Sequence, residues 1–166
     1  MKTAFIIIDV QNILVETGFE TEKILEKIAY LQDQARKQQI EIIYMQHIET
    51  PEALTSEDWQ LSPLLKRQAN EKVFQKRYNS IFKETGLKEY LDQQGIEQLV
   101  LCGMQTEYCV DTSVKVGFEY GYKLIIPEGV VTTFDGEDIP AETLNEFYEN
   151  IWAERFADVL DYKSIF

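Results

Sequence analysis

An α/β fold with an open, doubly wound, mostly parallel sheet of five or six strands and helices on both faces is predicted for this chain of 166 residues. Two observations predict it. Short apolar, β-branched runs recur along the sequence, and stretches of helical periodicity separate them. Runs that are apolar throughout suit strands buried on both faces, as in a parallel sheet. The order reads β-α-β-β-α-β-α-β-α, the alternation of crossover units.

The first strand is expected over residues 5–8 and is closed by Asp9. Ile24, Ile28, Leu31 and Ala35 mark one face of the helix that follows. Strands are expected at 40–45 and 73–74. The polar stretch 47–61 between them carries His47, Pro51 and Trp59 and reads as a pocket wall. Leu87, Tyr90 and Leu91 mark a short helix, and residues 99–101 a fourth strand. Val110, Val114 and Phe118 mark a further helix ending near Gly121, before a strand at 124–126. A last helix at 141–152 carries Leu144, Phe147 and Ile151 as its apolar stripe, and 156–160 could add a sixth strand. No repeat or linker divides the chain, so residues 1–166 are expected to form one domain.

The formal net charge of −13, from 29 acidic and 16 basic residues, opposes nonspecific binding to nucleic acid or to an anionic membrane. The apolar run behind Met1 is too short for a membrane span and lacks the cleavage site of a signal peptide. The two cysteines, Cys102 and Cys109, fit reduced thiols in a cytoplasmic protein. One histidine with two cysteines is too few for a zinc site. No glycine-rich nucleotide loop is present. Lys115 stands where a cysteine phosphatase needs arginine, which removes the bidentate phosphate clamp.

Chemistry is expected where strands end. The run Leu99-Val100-Leu101-Cys102-Gly103 stops at a glycine, and the next turn delivers Cys109 into the start of a helix. Free N–H groups and the helix dipole there favour a thiolate, so Cys109 is expected to be acidic and to alkylate faster than Cys102. Asp9 and Lys76 close two other strands, and this architecture gathers such ends at one rim. A carboxylate can accept the thiol proton, and a lysine between them can hold both anions. Each residue also has an ordinary role: a turn cap, a solvated charge, a small core residue. The combination points to chemistry.

The opening Ala4-Phe5-Ile6-Ile7-Ile8-Asp9-Val10-Gln11-Asn12 resembles that of the isochorismatase-like cysteine hydrolases. Val73-Phe74-Gln75-Lys76-Arg77-Tyr78-Asn79-Ser80-Ile81-Phe82 is similar to their lysine segment, and Gly103-Met104-Gln105-Thr106-Glu107-Tyr108-Cys109-Val110-Asp111-Thr112 to their nucleophile turn. The resemblance implies an isochorismatase-like, Rossmann-like fold and a catalytic triad of Asp9, Lys76 and Cys109. It further implies a cis peptide at Met104–Gln105 and an oxyanion hole from the N–H groups of Gln105 and Cys109. Gln11, Ile13, Leu14, Trp59, Tyr78, Tyr108 and Phe134 are the expected substrate contacts. The implied activity is hydrolysis of a small amide-like C–N bond through a thioester, with no cofactor, in a homodimer or higher homo-oligomer. Nicotinamidases of the family carry an Asp/His metal cluster. Here only His47, with Glu49, Glu52 and Asp58 nearby, stands in that region, so no metal is expected. The alternatives are a metal-assisted nicotinamidase and a non-catalytic α/β binding module. A receiver-like module lacks its acidic pair, because Val10-Gln11 follow Asp9.

Overall fold

A computed structural model describes residues 1–166. Its strands are β1 (Thr3–Ile8), β2 (Glu41–His47), β3 (Lys72–Lys76), β4 (Gln98–Met104), β5 (Lys123–Pro127), β6 (Val131–Thr132) and β7 (Asp158–Leu160). The helices are α1 (Asn12–Thr17), α2 (Thr21–Lys37), α3 (Leu87–Gln94), α4 (Asp111–Glu119) and α5 (Ala141–Trp152). All pairings are parallel, in the order β3-β2-β1-β4-β5-β7, with β6 beside β4. The sheet is thus doubly wound, as its apolar runs predict, but holds seven strands rather than five or six. The two-residue β6 is too short to register as a pattern. The six-residue α1 buries no residue completely and leaves no apolar stripe to read.

Alternation along the central strands builds two cores. Ala4, Ile6, Ile8, Ile43, Met45, Leu99 and Leu101 face α3, α4 and α5; Phe5, Ile7, Ile42, Tyr44, Val100 and Cys102 face α2. From α2 come Ile24, Ile28, Leu31 and Ala35, buried as their spacing predicts, together with Leu25. Each large aliphatic side chain buried there contributes about 1.5–3 kcal/mol.

Three expectations fail, wholly or in part, at the margins. β3 is an edge strand, so Val73 is exposed rather than buried on both faces. Phe118 lies on the outer side of α4 and is exposed. In α5 the expected stripe holds in part: Ile151 packs against the core and Leu144 is half-buried, but Phe147 is 58% exposed.

Strand order reverses between β1 and β4, the place where such sheets open a crevice. The two strands run level there, with Ile8 opposite Gly103. Gly103 is required: its φ is +120°, and a Cβ would stand 2.1 Å from the Ile8 carbonyl oxygen. Close approach of these two backbones sets the spacing between the residues that follow them.

Candidate active site

Asp9, Lys76 and Cys109 do meet. Asp9 leaves the end of β1 with φ +51°, a left-handed conformation that aspartate tolerates better than most residues. Lys76 is the last residue of β3, and its side chain has no exposed surface. Its Nζ lies 2.8 Å from Asp9 Oδ2 and 3.1 Å from Cys109 Sγ. It also donates to the Tyr78 carbonyl at 3.0 Å and stands 3.1 Å from His47 Nδ1. The second Asp9 oxygen, Oδ1, is buried and has no hydrogen-bond partner.

Cys109 sits in a π-helical turn, Thr106–Val110, just before α4, rather than in the first turn of the α-helix itself. The Met104–Gln105 peptide ahead of it is cis. Four side-chain contacts hold this turn. Thr106 donates to Asn145 of α5 at 2.6 Å, and Thr133 donates to Glu107 at 2.7 Å. Ser113 donates to the Cys109 carbonyl at 2.6 Å and accepts from the Ile81 N–H at 3.1 Å, tying the lysine segment to α4. Trp152 Nε1 donates to Asp111 at 2.9 Å. The Gln105 N–H donates to no backbone or side-chain acceptor.

The electrostatics correct one expectation. The Cys109 thiol is pushed up to about 12, first by burial and then by the negative charge of Asp9, with Lys76 only partly offsetting them. The turn's N–H groups do not make a resting thiolate at neutral pH; the thiol keeps its proton. Burial also raises Asp9 above the usual carboxylate range, against the pull of Lys76. His47 is lowered, by burial and then by the Lys76 charge.

The expected substrate contacts divide. Ile13 and Leu14 lie half-buried on α1, Trp59 and Phe134 are half-buried, and Tyr78 and Tyr108 are exposed, with the Lys83 ammonium 3.9 Å over the Tyr78 ring. Gln11 is corrected: its fully buried amide is bonded to backbone and not available to a substrate. It accepts from the His47 N–H at 2.8 Å and donates to the carbonyls of His47 at 3.0 Å and Trp59 at 2.6 Å. Gln11 therefore straps the 47–61 loop to the end of β2. A cavity of about 350 Å³ is lined by Ile48, Leu54, Lys76, Arg77 and Tyr78, and the Lys76 side chain itself has no exposed surface.

A metal fits poorly. Asp9, His47 and Cys109 bring an oxygen, a nitrogen and a sulfur within 4.8 Å of one another, a mixed donor set that suits a transition metal. The Lys76 ammonium stands within 3.1 Å of all three residues, and a cation held there would have to share its space. Glu49 reaches only His47 Nε2, at 3.6 Å, while Glu52 and Asp58 are exposed on the loop.

Fold and cluster together define a doubly wound α/β domain whose polar residues converge at the switch point of its sheet. The Isochorismatase domain matches residues 3–163, and the chain belongs to the isochorismatase family of hydrolases. An isochorismatase from Pseudomonas putida KT2440 is similar in structure, with TM-score 0.91 and 29% identity over 99% of this chain and 90% of that one. The isochorismatase family protein YddQ of Bacillus subtilis strain 168 is 28% identical over 155 residues, 86% of each chain. A streptothricin hydrolase of Streptomyces noursei is 28% identical over 144 residues, 83% of this chain. The chain spans 51% of that relative's length.

Sequence reasoning missed three residues that hold the site: Ser113, Asn145 and the structural role of Gln11. Ser113 lies four residues beyond Cys109, one helical turn away, a spacing that signals a side chain reaching back to the cysteine carbonyl.

Proposed function

We propose that this chain is a cysteine hydrolase that cleaves a small amide-like C–N bond through a thioester. One observation carries the reading: a buried carboxylate with one oxygen on Lys76 and the other free, beside a protonated thiol that the same lysine touches.

Asp9 takes the Cys109 proton as the sulfur attacks the substrate carbonyl carbon and a C–S bond forms. Its raised pKa makes Asp9 a stronger base than an ordinary carboxylate. Negative charge leaves Asp9 and passes through the attacking sulfur to the carbonyl oxygen as the C–S bond closes, and Lys76 faces the Asp9 and sulfur ends of that path, so no cation has to move. The tetrahedral oxyanion rests on the N–H groups of Gln105 and Cys109, the first of which is free for it. When the C–N bond breaks, Asp9 returns the proton to the leaving nitrogen. Water, deprotonated by Asp9, then attacks the thioester; the C–S bond breaks, the acid leaves and the thiol regains its proton.

A small molecule suits this site, because Asp9 and Lys76 are almost fully covered and Cys109 itself is only 9% exposed. The test is a screen of primary amides and ureides, with streptothricin included because of the relative above, against the wild type and Cys109→Ala. Turnover by the wild type and none by the variant supports the reading. Equal turnover by both overturns it.

A further inference from the structure

Resting on the cysteine-hydrolase reading, we infer that His47 is a positioning residue for Lys76: its neutral Nδ1 accepts a hydrogen from the ammonium and holds it between Asp9 and Cys109. An ammonium has three hydrogens and no lone pair, so in every contact of Nζ it is the donor. Nζ has four acceptors in reach: Asp9 Oδ2, the Tyr78 carbonyl, Cys109 Sγ and His47 Nδ1. While Cys109 is a thiol, its sulfur is the weakest of these, and the hydrogens go to the other three. Once the proton has moved to Asp9, the sulfur becomes the strongest acceptor and one partner must yield. His47 and the Tyr78 carbonyl are both neutral, so either can yield without leaving a charge uncompensated.

The fold fixes His47 for this part. Gln11 clamps its N–H and its carbonyl together, and the ring lies half-buried, 6.1 Å from that of Trp59. Its Nε2, which carries the proton when Nδ1 accepts, faces Glu49 at 3.6 Å. The charged and titratable groups facing the imidazole are Asp9 from the end of β1, Lys76 from β3, Cys109 from the π-turn and Glu49 from the loop. Protonation of His47 turns its acceptor into a donor aimed at an ammonium, so the cluster fails on the acid side when His47 charges.

His47 is the only histidine, so its imidazole ¹⁵N signals need no assignment. They should show a bare Nδ1, a protonated Nε2 and a midpoint below 6.5 that moves up in Lys76→Met. A protonated Nδ1, or a midpoint indifferent to Lys76→Met, overturns the inference. The second readout is the rate at which p-nitrophenyl acetate acylates Cys109 across pH. His47→Asn keeps an acceptor that does not titrate: its rate should stay within about threefold of wild type and lose the inflection at the His47 midpoint. His47→Phe keeps the ring but not the acceptor, and should fall about tenfold or more. A Phe variant equal to wild type, or an inflection surviving in the Asn variant, overturns it. If the wild type does not acylate, the cysteine-hydrolase reading fails, while the imidazole signals still decide the Lys76–His47 contact.

Discussion

Two buried carboxylates in this protein each face a cation, and they are finished differently. Glu71, ahead of β3, accepts from Arg36 Nε at 2.8 Å and Nη2 at 3.2 Å, from the Tyr44 hydroxyl at 2.9 Å and from the Gln68 N–H at 2.8 Å. Burial by itself would raise its pKa, but these donors win and hold it below the usual carboxylate value. Asp9 has Lys76 on one oxygen and nothing on the other, and there burial wins and the pKa rises. A saturated carboxylate has no lone pair left for a proton and serves the fold. A half-saturated one is a base waiting for a thiol. On the proposed reading, the contrast separates what stabilises this molecule from what carries its chemistry.

The comparison breaks most visibly under exchange of the two sites. Cys109→Ala should lower hydrolysis of a substrate found by the screen about 10⁴-fold, with an unfolding midpoint close to wild type. Glu71→Gln should do the reverse: activity within about twofold, and stability lower by about 3 kcal/mol in urea unfolding, because Arg36 loses its buried partner. If Glu71→Gln inactivates the protein, the division between the two sites is wrong.

A second test sharpens the role of the Asp9 charge. That charge raises the Cys109 thiol, so Asp9→Asn should make the thiol more acidic. Iodoacetamide alkylation of Cys109 at pH 7 should then rise about tenfold even as hydrolysis collapses. Slower alkylation in this variant would show that Asp9 does not oppose thiolate formation in the resting protein.

Acid titration is the mildest probe. Glu71 is depressed in the folded protein, so its contribution is complete above the unfolded value near 4.5 and is lost as pH falls through the lower folded value. Urea midpoints should fall between pH 5 and pH 3, and less steeply in Glu71→Gln. Identical slopes would remove Glu71 from the acid sensitivity of the fold.

Much of this was legible in the sequence, for reasons that differ by residue. Residues 5–8 and 99–101 read as strands because burial on both faces leaves no polar position in them. Asp9 and Lys76 were legible because polar side chains closing apolar runs stand out, and Cys109 because a turn after Gly103 delivers it to the start of a helix. Phe118 and Phe147 misled, since an apolar residue on a helix does not say whether a neighbour covers it. Gln11 misled in the other direction: a glutamine in a motif reads as a ligand contact, and only coordinates reveal that backbone groups occupy its amide. The acidity of Cys109 was misjudged because the helix-end argument counts local dipoles. Burial and the charge of Asp9, 100 residues away along the chain but adjacent in space, outweigh them.

The central claim is that Cys109 carries the acyl group and that Asp9 and Lys76 make it do so. Its most direct measurement is intact mass and peptide mapping after brief mixing with p-nitrophenyl acetate at neutral pH. The account predicts one acetyl group, on Cys109, formed in a burst and then cleared by the wild type, and absent in Cys109→Ala. Acetyl on another residue, or equal p-nitrophenolate release by Cys109→Ala, would contradict it.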